Sequence, residues 1–526
     1  MHNQILASRK ALVPGLYFVS SYTHVPCPLN QFEVKLMRGF RQPPISGPSS
    51  TWTIFSIRSA LLFLMGLGMT GFGITEPSFA DSHTTHPPNV ILIIGDGMDD
   101  QQITIARNYL VGAAGRMTLD ALPVRSTAQV LTVDESDPGL PVYVADSANS
   151  ATSIATGITT SRGRIGTRAG SDEDVVTILE LARNKGMKTG LVATSSVTDA
   201  TPASFAAHVA LRICADPSNM VDVSYKGISL GGCPDDLIAN GGPGSISEQL
   251  AHSGVDVILG GGLDNFETPT ESGEQSVSEL ARHNGFEVVT TGAELAAVPP
   301  GQRVLGLFGK SHLPVRTRGE GGRVGEKPNP SFLNSIHWYL GSVEMPEPMR
   351  CEPNPDYGDT PSLKTMTDAA LLQLGHENTR GFFLMVESAS IDKQSHARKA
   401  CGSIGELEQL NEALDSALAF AETNPNTLIL VTADHGHAAQ IIPDKSLFNQ
   451  FGAPVFTLGH LVRLVTPEGA GMAINYATND FIAEEHTGTQ VPLLANDVGV
   501  GKVPAMVSQP EIYSIMAEHL GLGGAN

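Results

Sequence analysis

Five short apolar runs punctuate the chain, at Asn89–Ile94, Lys188–Thr194, Val255–Gly260, Gly381–Val386 and Thr427–Val431. They are apolar nearly throughout rather than alternating, the pattern of strands covered on both faces. Between them, apolar residues recur at helical spacing over Asp174–Asn184, Ser245–His252, Met366–Leu374, Gly405–Thr423 and Gln509–Leu520. A run of small residues, Ser147 to about Thr156, predicts one more helix. Buried strands alternating with helices predict an α/β fold: a doubly wound, mostly parallel central sheet with helices on both faces and loop insertions. Residues 263–365 and 440–480 follow neither period and are expected to be irregular insertions. No repeat, low-complexity tract or linker divides residues 88–526, so residues 81–526 are expected to form one domain.

The first 80 residues have a different character. Arg58 precedes an apolar run of 15 residues, Ala60–Ile74, and Glu76-Pro77-Ser78-Phe79-Ala80 then leads into polar Asp81-Ser82-His83. A positive flank, a short apolar stretch and a small-residue exit describe a secretory signal peptide, with cleavage expected after Ala80. The run holds four glycines and is too short to span a bilayer comfortably, so no stable membrane anchor is expected. Met37 offers a second possible start. The whole chain carries a net charge of −21, and residues 81–526 alone carry −25. So acidic a surface argues against nucleic acid or an anionic membrane as partner. It also repels phosphate esters, so a phosphate site would need local positive charge such as bound metal ions supply. Cys27 belongs to the leader, leaving Cys214, Cys233, Cys351 and Cys401. An even number in an exported chain, in the periplasm or the medium, suggests two disulfides, with three pairings open.

In open parallel sheets, ligands bind beyond the carboxyl ends of the strands. Here those ends are rich in acids and histidines. The first run leads to Gly95-Asp96-Gly97-Met98, and the second to Asp199-Ala200-Thr201-Pro202. The fourth ends at Glu387, followed by Asp392-Lys393-Gln394-Ser395-His396, and the fifth at Asp434-His435-Gly436-His437. So many acids on one sheet edge would repel one another unless cations lay among them. Carboxylate with imidazole suits Zn²⁺, and carboxylate with hydroxyl suits Mg²⁺. Asp392 and His396 are four apart and would share a helix face. Asp96 between glycines also reads as a turn residue, and Asp199 as a helix start. Ser147 stands where a helix N-terminus offers unpaired N–H groups and positive potential to a phosphate, which makes it a candidate nucleophile. The plainer reading is that Asp146 or Ser147 is an N-cap. His208, set among Ala and Val, reads as a core histidine.

Six stretches together carry a resemblance. They are Ile94-Gly95-Asp96-Gly97-Met98; Asp146-Ser147-Ala148; Asp199-Ala200-Thr201-Pro202-Ala203; Val386 to His396; Thr432-Ala433-Asp434-His435-Gly436-His437; and Glu485-His486-Thr487-Gly488-Thr489. In this order they resemble the alkaline phosphatases of the bacterial exported type, from Asn89 to about Gly499. The resemblance implies two Zn²⁺ and one Mg²⁺. Asp392, His396 and His486 would hold the first zinc. Asp96, Asp434 and His435 would hold the second, with Ser147 as nucleophile beside it. Thr201 and Glu387 would hold magnesium, bridged by Asp96, with Asp199 reaching it through water. His437 would orient a ligand without binding metal, and Lys393 matches the branch of the family that pairs lysine with Asp199.

Arg212 falls where the family places its phosphate-clamping arginine, thirteen residues beyond Asp199. The resemblance also implies sequential disulfides, Cys214–Cys233 and Cys351–Cys401, a homodimer, and hydrolysis of phosphate monoesters through a phosphoserine. Sulfatases need a Cys/Ser-x-Pro-x-Arg run, and Ser147-Ala148-Asn149-Ser150-Ala151 lacks both Pro and Arg. Related diesterases commonly use threonine and lack the arginine clamp. A phosphoglycerate mutase of this kind should not carry an export signal. From a different class, a non-catalytic metal- or phosphate-binding protein would not need Ser147.

Overall fold

The apolar runs form the middle of a ten-stranded sheet. The computed structural model describes residues 86–523 except Lys226, Trp338 and Pro454, so the expected leader lies outside the described residues. In chain order the strands are β1 (Asn89–Gly95), β2 (Val124–Gln129), β3 (Lys188–Ser196), β4 (Val257–Gly261), β5 (Glu287–Val289), β6 (Val304–Leu307), β7 (Phe382–Ser388), β8 (Thr427–Ala433), β9 (Val491–Ala495) and β10 (Met506–Ser508). Their order across the sheet is β10-β2-β9-β8-β1-β7-β3-β4-β6-β5. Only β9 runs antiparallel to its neighbours. The doubly wound, mostly parallel expectation therefore holds. β1 pairs with β7 on one side and β8 on the other along its whole length. Val90 to Ile94 are fully buried, as a strand covered on both faces requires.

The helices that position the site are α1 (Asp100–Leu110), α2 (Ser147–Thr156), α3 (Ile178–Asn184), α4 (Ile246–His252), α5 (Leu363–Gly375), α6 (Ser390–His396), α7 (Ala400–Thr423) and α8 (Gln509–His519). Sequence periodicity placed some ends wrongly, and capping explains two of them. α3 starts later than Asp174 because Thr177 accepts the Glu180 N–H while Glu180 returns a bond to the Thr177 N–H. Ser245 and Glu248 form the same box ahead of α4. α7 begins five residues before Gly405. A Cβ at Gly402 would stand 2.3 Å from Gln394 Oε1, and one at Gly405 2.3 Å from Thr317 Oγ1. Close packing at these glycines offsets their weak helix propensity.

The two expected insertions are not irregular. Residues 263–365 supply β5 and β6 together with the helices Leu263–Glu267 and Val277–His283. Residues 440–480 contain a three-stranded antiparallel sheet of Gln440–Ile442, His460–Val465 and Gly471–Tyr476. β5, β6 and Gln440–Ile442, of three or four residues, are too short to show a period, so their pairing emerges only in the fold.

Both disulfides are sequential, Cys214–Cys233 and Cys351–Cys401, spanning 19 and 50 residues. The second ties the strand Cys351–Pro353 to α7. Replacing Cys351 and Cys401 by serine is expected to cost about 4 kcal/mol, and replacing the other pair about 3 kcal/mol, from loop-closure entropy. Denaturant melts of the two double variants test this ranking; equal midpoints would refute it. Among the described residues, no helix is long and apolar enough to cross a membrane.

Candidate active site

Strand register assembles the site. Gly95 of β1 lies opposite Ala433 of β8, so Asp96 and Asp434 leave adjacent strands at the same level. Ile94 lies opposite Glu387, and Glu387 opposite Ala193. The acidic loops that are scattered along the chain thus meet at one sheet edge. Gly97 permits the closest approach: its φ is +71°, and a Cβ there would stand 3.3 Å from Asp392 Cα. Its N–H donates to Asp434 Oδ1 at 2.9 Å.

Among the described residues, two groups of side chains could each hold a metal ion. Asp96, Asp434 and His435 form one, and Asp392, His396, His437 and His486 the other; within each, one ligand atom per residue lies within 4.8 Å of the rest. The imidazoles themselves sort the second group. His396 Nδ1 donates to the Glu484 carbonyl and His486 Nδ1 to the Ala145 carbonyl. His435 Nδ1 likewise donates to the Gly436 carbonyl at 3.2 Å. Each therefore keeps an Nε2 lone pair for a metal, the usual arrangement of a ligating histidine. His437 is reversed. Its Nδ1 accepts the Ala438 N–H at 2.7 Å, which puts its own proton on Nε2, 3.2 Å from Asp392 Oδ1. It lies among these residues without a lone pair to offer a metal. The spacing of Asp392 and His396 acts as read: they share α6, with His396 Nε2 3.3 Å from Asp392 Oδ1.

The donor set fits divalent ions. Asp392 Oδ1, Asp434 Oδ2 and Thr201 Oγ1 are buried without a well-formed hydrogen bond, a state that costs free energy unless something else satisfies them. Burial, with Asp392 and Asp434 nearby, drives the Asp96 carboxyl well above its ordinary value. Burial likewise pushes Glu387 up to about 8 and raises Asp434. Against its burial, Asp392 is held well below the usual range, first of all by the His437 imidazole. Burial, with His486 close by, keeps His435 neutral by lowering its pKa far below the ordinary value.

Asp146, not Ser147, caps α2: its carboxylate accepts the Asn149 N–H at 3.0 Å, and Asn149 Oδ1 accepts the Asp146 N–H. Ser147 is the first helical residue. Its Oγ lies 3.2 Å from His435 Nε2 and 3.5 Å from Asp96 Oδ1. Asp146 has a second task that its sequence position did not reveal. It receives Arg212 at 3.3 Å, while Asp199 takes the other arm of the guanidinium at 3.1 Å. Lys393 also binds Asp199, at 2.8 Å, and stands 3.7 Å from Asp96. These two cations hold the half-buried Asp199 carboxyl well below its usual range.

Two neighbours had no sequence signal. Ser195 Oγ donates to Glu387 Oε2 at 2.9 Å. His312 accepts the Ser196 N–H on Nδ1 and stands 3.8 Å from Asp199. His208 lies apart, half-buried rather than in the apolar core, and bonded to the Gly166 carbonyl and Glu180.

Comparison with known proteins gives a consistent result. A family model described as alkaline phosphatase matches residues 88–489. An alkaline phosphatase of Escherichia coli (strain K12) is 39% identical over 460 residues, 86% of this chain and 90% of that protein. A streptomycin-6-phosphate phosphatase of Streptomyces griseus is 40% identical over 446 residues, 82% of this chain and 90% of that one. Among solved structures, the alkaline phosphatase of the Antarctic bacterium TAB5 has a TM-score of 0.59 at 23% identity, covering 83% of this chain and 99% of its own. That of Thermus thermophilus has a TM-score of 0.57 at 20% identity, covering 84% and 93%.

Proposed function

The chain belongs to the alkaline phosphatase family and is a hydrolase, and from that premise we propose that it cleaves phosphate monoesters through a phosphoserine on Ser147 in a metal-dependent reaction. The observation that carries this reading is the position of Ser147 Oγ, at the start of α2 and against His435 and Asp96. Asp392, His396 and His486 would hold one Zn²⁺, and Asp96, Asp434 and His435 the other. Thr201 and Glu387, with Asp96 and Asp199, would hold Mg²⁺. Bound there, such ions supply Lewis acidity, lowering the pKa of a coordinated hydroxyl and offsetting charge on the phosphate and the leaving oxygen.

The protein's own groups do the rest. Ser147 Oγ forms a bond to phosphorus as the bond to the ester oxygen breaks, releasing the alcohol. Water then cleaves the phosphoserine, giving inorganic phosphate and free Ser147. Arg212, aimed by Asp146 and Asp199, donates two hydrogen bonds to non-bridging oxygens, where charge resides in a loose transition state. His437 holds Asp392, and Lys393 offsets the charge of Asp199 and Asp96. In the metal-free site the cations Arg212 and Lys393 face the ionised Asp199 and Asp392, so without metal ions the site offers phosphate no net positive charge.

Turnover of p-nitrophenyl phosphate, against its diester and sulfate analogues, tests the assignment. Monoester hydrolysis is expected to dominate; a preference for diester or sulfate would overturn it. The Streptomyces relative named for streptomycin 6-phosphate makes a sugar phosphate worth including. Arg212→Lys keeps the charge but loses the planar fork, so kcat/KM is expected to fall roughly 10²-fold, with phosphate inhibition weakened in parallel. Unchanged phosphate inhibition would remove Arg212 from the clamp. The two disulfides suit an oxidising compartment, and the same reading makes the enzyme an exported, periplasmic homodimer.

A further inference from the structure

Two of the three ligands proposed for the first zinc come from segments far apart in sequence. His396 ends α6, and His486 lies in the loop that follows Tyr476. An ion pair joins these segments just outside the ligands. Arg398 is two residues beyond His396, and Glu484 two residues before His486. Arg398 Nε donates to Glu484 Oε1 at 2.6 Å, and the guanidinium also donates to the Phe481 carbonyl at 2.6 Å. The Glu484 side chain is fully buried and that of Arg398 is 11% exposed.

Glu484 is also a hub for its own loop. Its Oε2 accepts the Thr478 hydroxyl at 2.7 Å and the Thr478 N–H at 2.9 Å. Its backbone closes on α6 in both directions: the Glu484 N–H donates to the His396 carbonyl at 3.0 Å, and its carbonyl accepts His396 Nδ1–H. Arg398 adopts φ +58°, a left-handed conformation that is unfavourable for a residue with a Cβ and persists only when the surroundings hold it. The Gly325 N–H to its carbonyl, at 2.8 Å, and the ion pair are those holds.

We propose that the buried Arg398–Glu484 pair is a positioning clamp that sets the separation of His396 from His486 and thereby the zinc affinity of that centre alone. Neither residue is a ligand, and neither touches Asp96, Asp434 or His435. Partners that orient metal-binding histidines typically change affinity 10- to 100-fold when removed. This inference rests on the metal assignment proposed above, and the test separates the two.

Metal-free enzyme is titrated with Zn²⁺ in competition with a chromophoric chelator, resolving two binding steps. His396→Ala marks the step that belongs to the first centre. Glu484→Gln and Arg398→Gln are each expected to weaken that step about 10- to 100-fold while the other stays within about twofold. The double variant, which strands no buried charge, should be no worse than either single, because each already breaks the same pair. Equal weakening of both steps would show general loosening and overturn the proposal. So would an unchanged first step in both single variants. If His396→Ala leaves both steps intact, the metal assignment falls, and the clamp with it.

Discussion

Ser147→Ala is expected to lower kcat for p-nitrophenyl phosphate by roughly 10³- to 10⁵-fold, the scale on which loss of an enzymic nucleophile usually registers. The fold should survive. Asp146, not Ser147, caps α2, and among the described residues Ser147 Oγ has Asp96 and His435 as its hydrogen-bond neighbours. The helix would therefore keep its capping box, and alanine is a good helix former. Acid quenching during turnover should trap a phosphorylated protein in the parent and none in the variant. A fall of less than tenfold in kcat, or a phosphorylated Ser147→Ala protein, would show that another group accepts the phosphoryl.

Removal of divalent ions is the second large effect. Chelation is expected to reduce activity at least roughly 10³-fold, with Zn²⁺ and Mg²⁺ both needed for full recovery. It should also alter the proton balance. Burial pushes Glu387 up to about 8 in the metal-free protein, so at pH 7 it holds a proton that a metal ion must expel. Mg²⁺ binding is therefore expected to release protons at pH 7 and almost none above pH 9. Calorimetry in buffers of different ionisation enthalpy measures this directly.

The sign for stability follows. A carboxyl whose folded pKa is raised holds its proton in the native state over a range where the unfolded chain has lost it. Metal-free stability should therefore decline as pH rises from the unfolded carboxyl value towards about 8. Turnover that survives complete chelation, or metal binding with no proton release at pH 7, would remove the ions from this account.

Much of the site was legible because its residues sit in short, dense motifs. Asp392 and His396 share a helix face by spacing alone, and Asp434-His435 follows a strand whose apolar run marks it as buried. Capping was only half legible. Asp146-Ser147 showed a helix start, but that Asp146 would also steady Arg212 depended on residues 66 positions away. His486 drew its role from the resemblance and not from its own surroundings, because one histidine in a polar loop has no local pattern. His312, Ser195, Arg398 and Glu484 left no signal, since each works through a partner on another element.

The sequence by itself determined the buried parallel strands, the helices between them and which loops gather the acids and histidines. These follow from periodicity and side-chain type, which act over a few residues. The tertiary structure decided that β5 and β6 extend the sheet and that residues 440–480 hold a second sheet. It also decided which two of the three disulfide patterns to reject, and the ring orientation that separates His437 from His396, His435 and His486. Those outcomes depend on strand order and register. Asp96 meets Asp434 only because Gly95 pairs with Ala433. A register is set by the summed burial of whole strands, so no short window of sequence contains it.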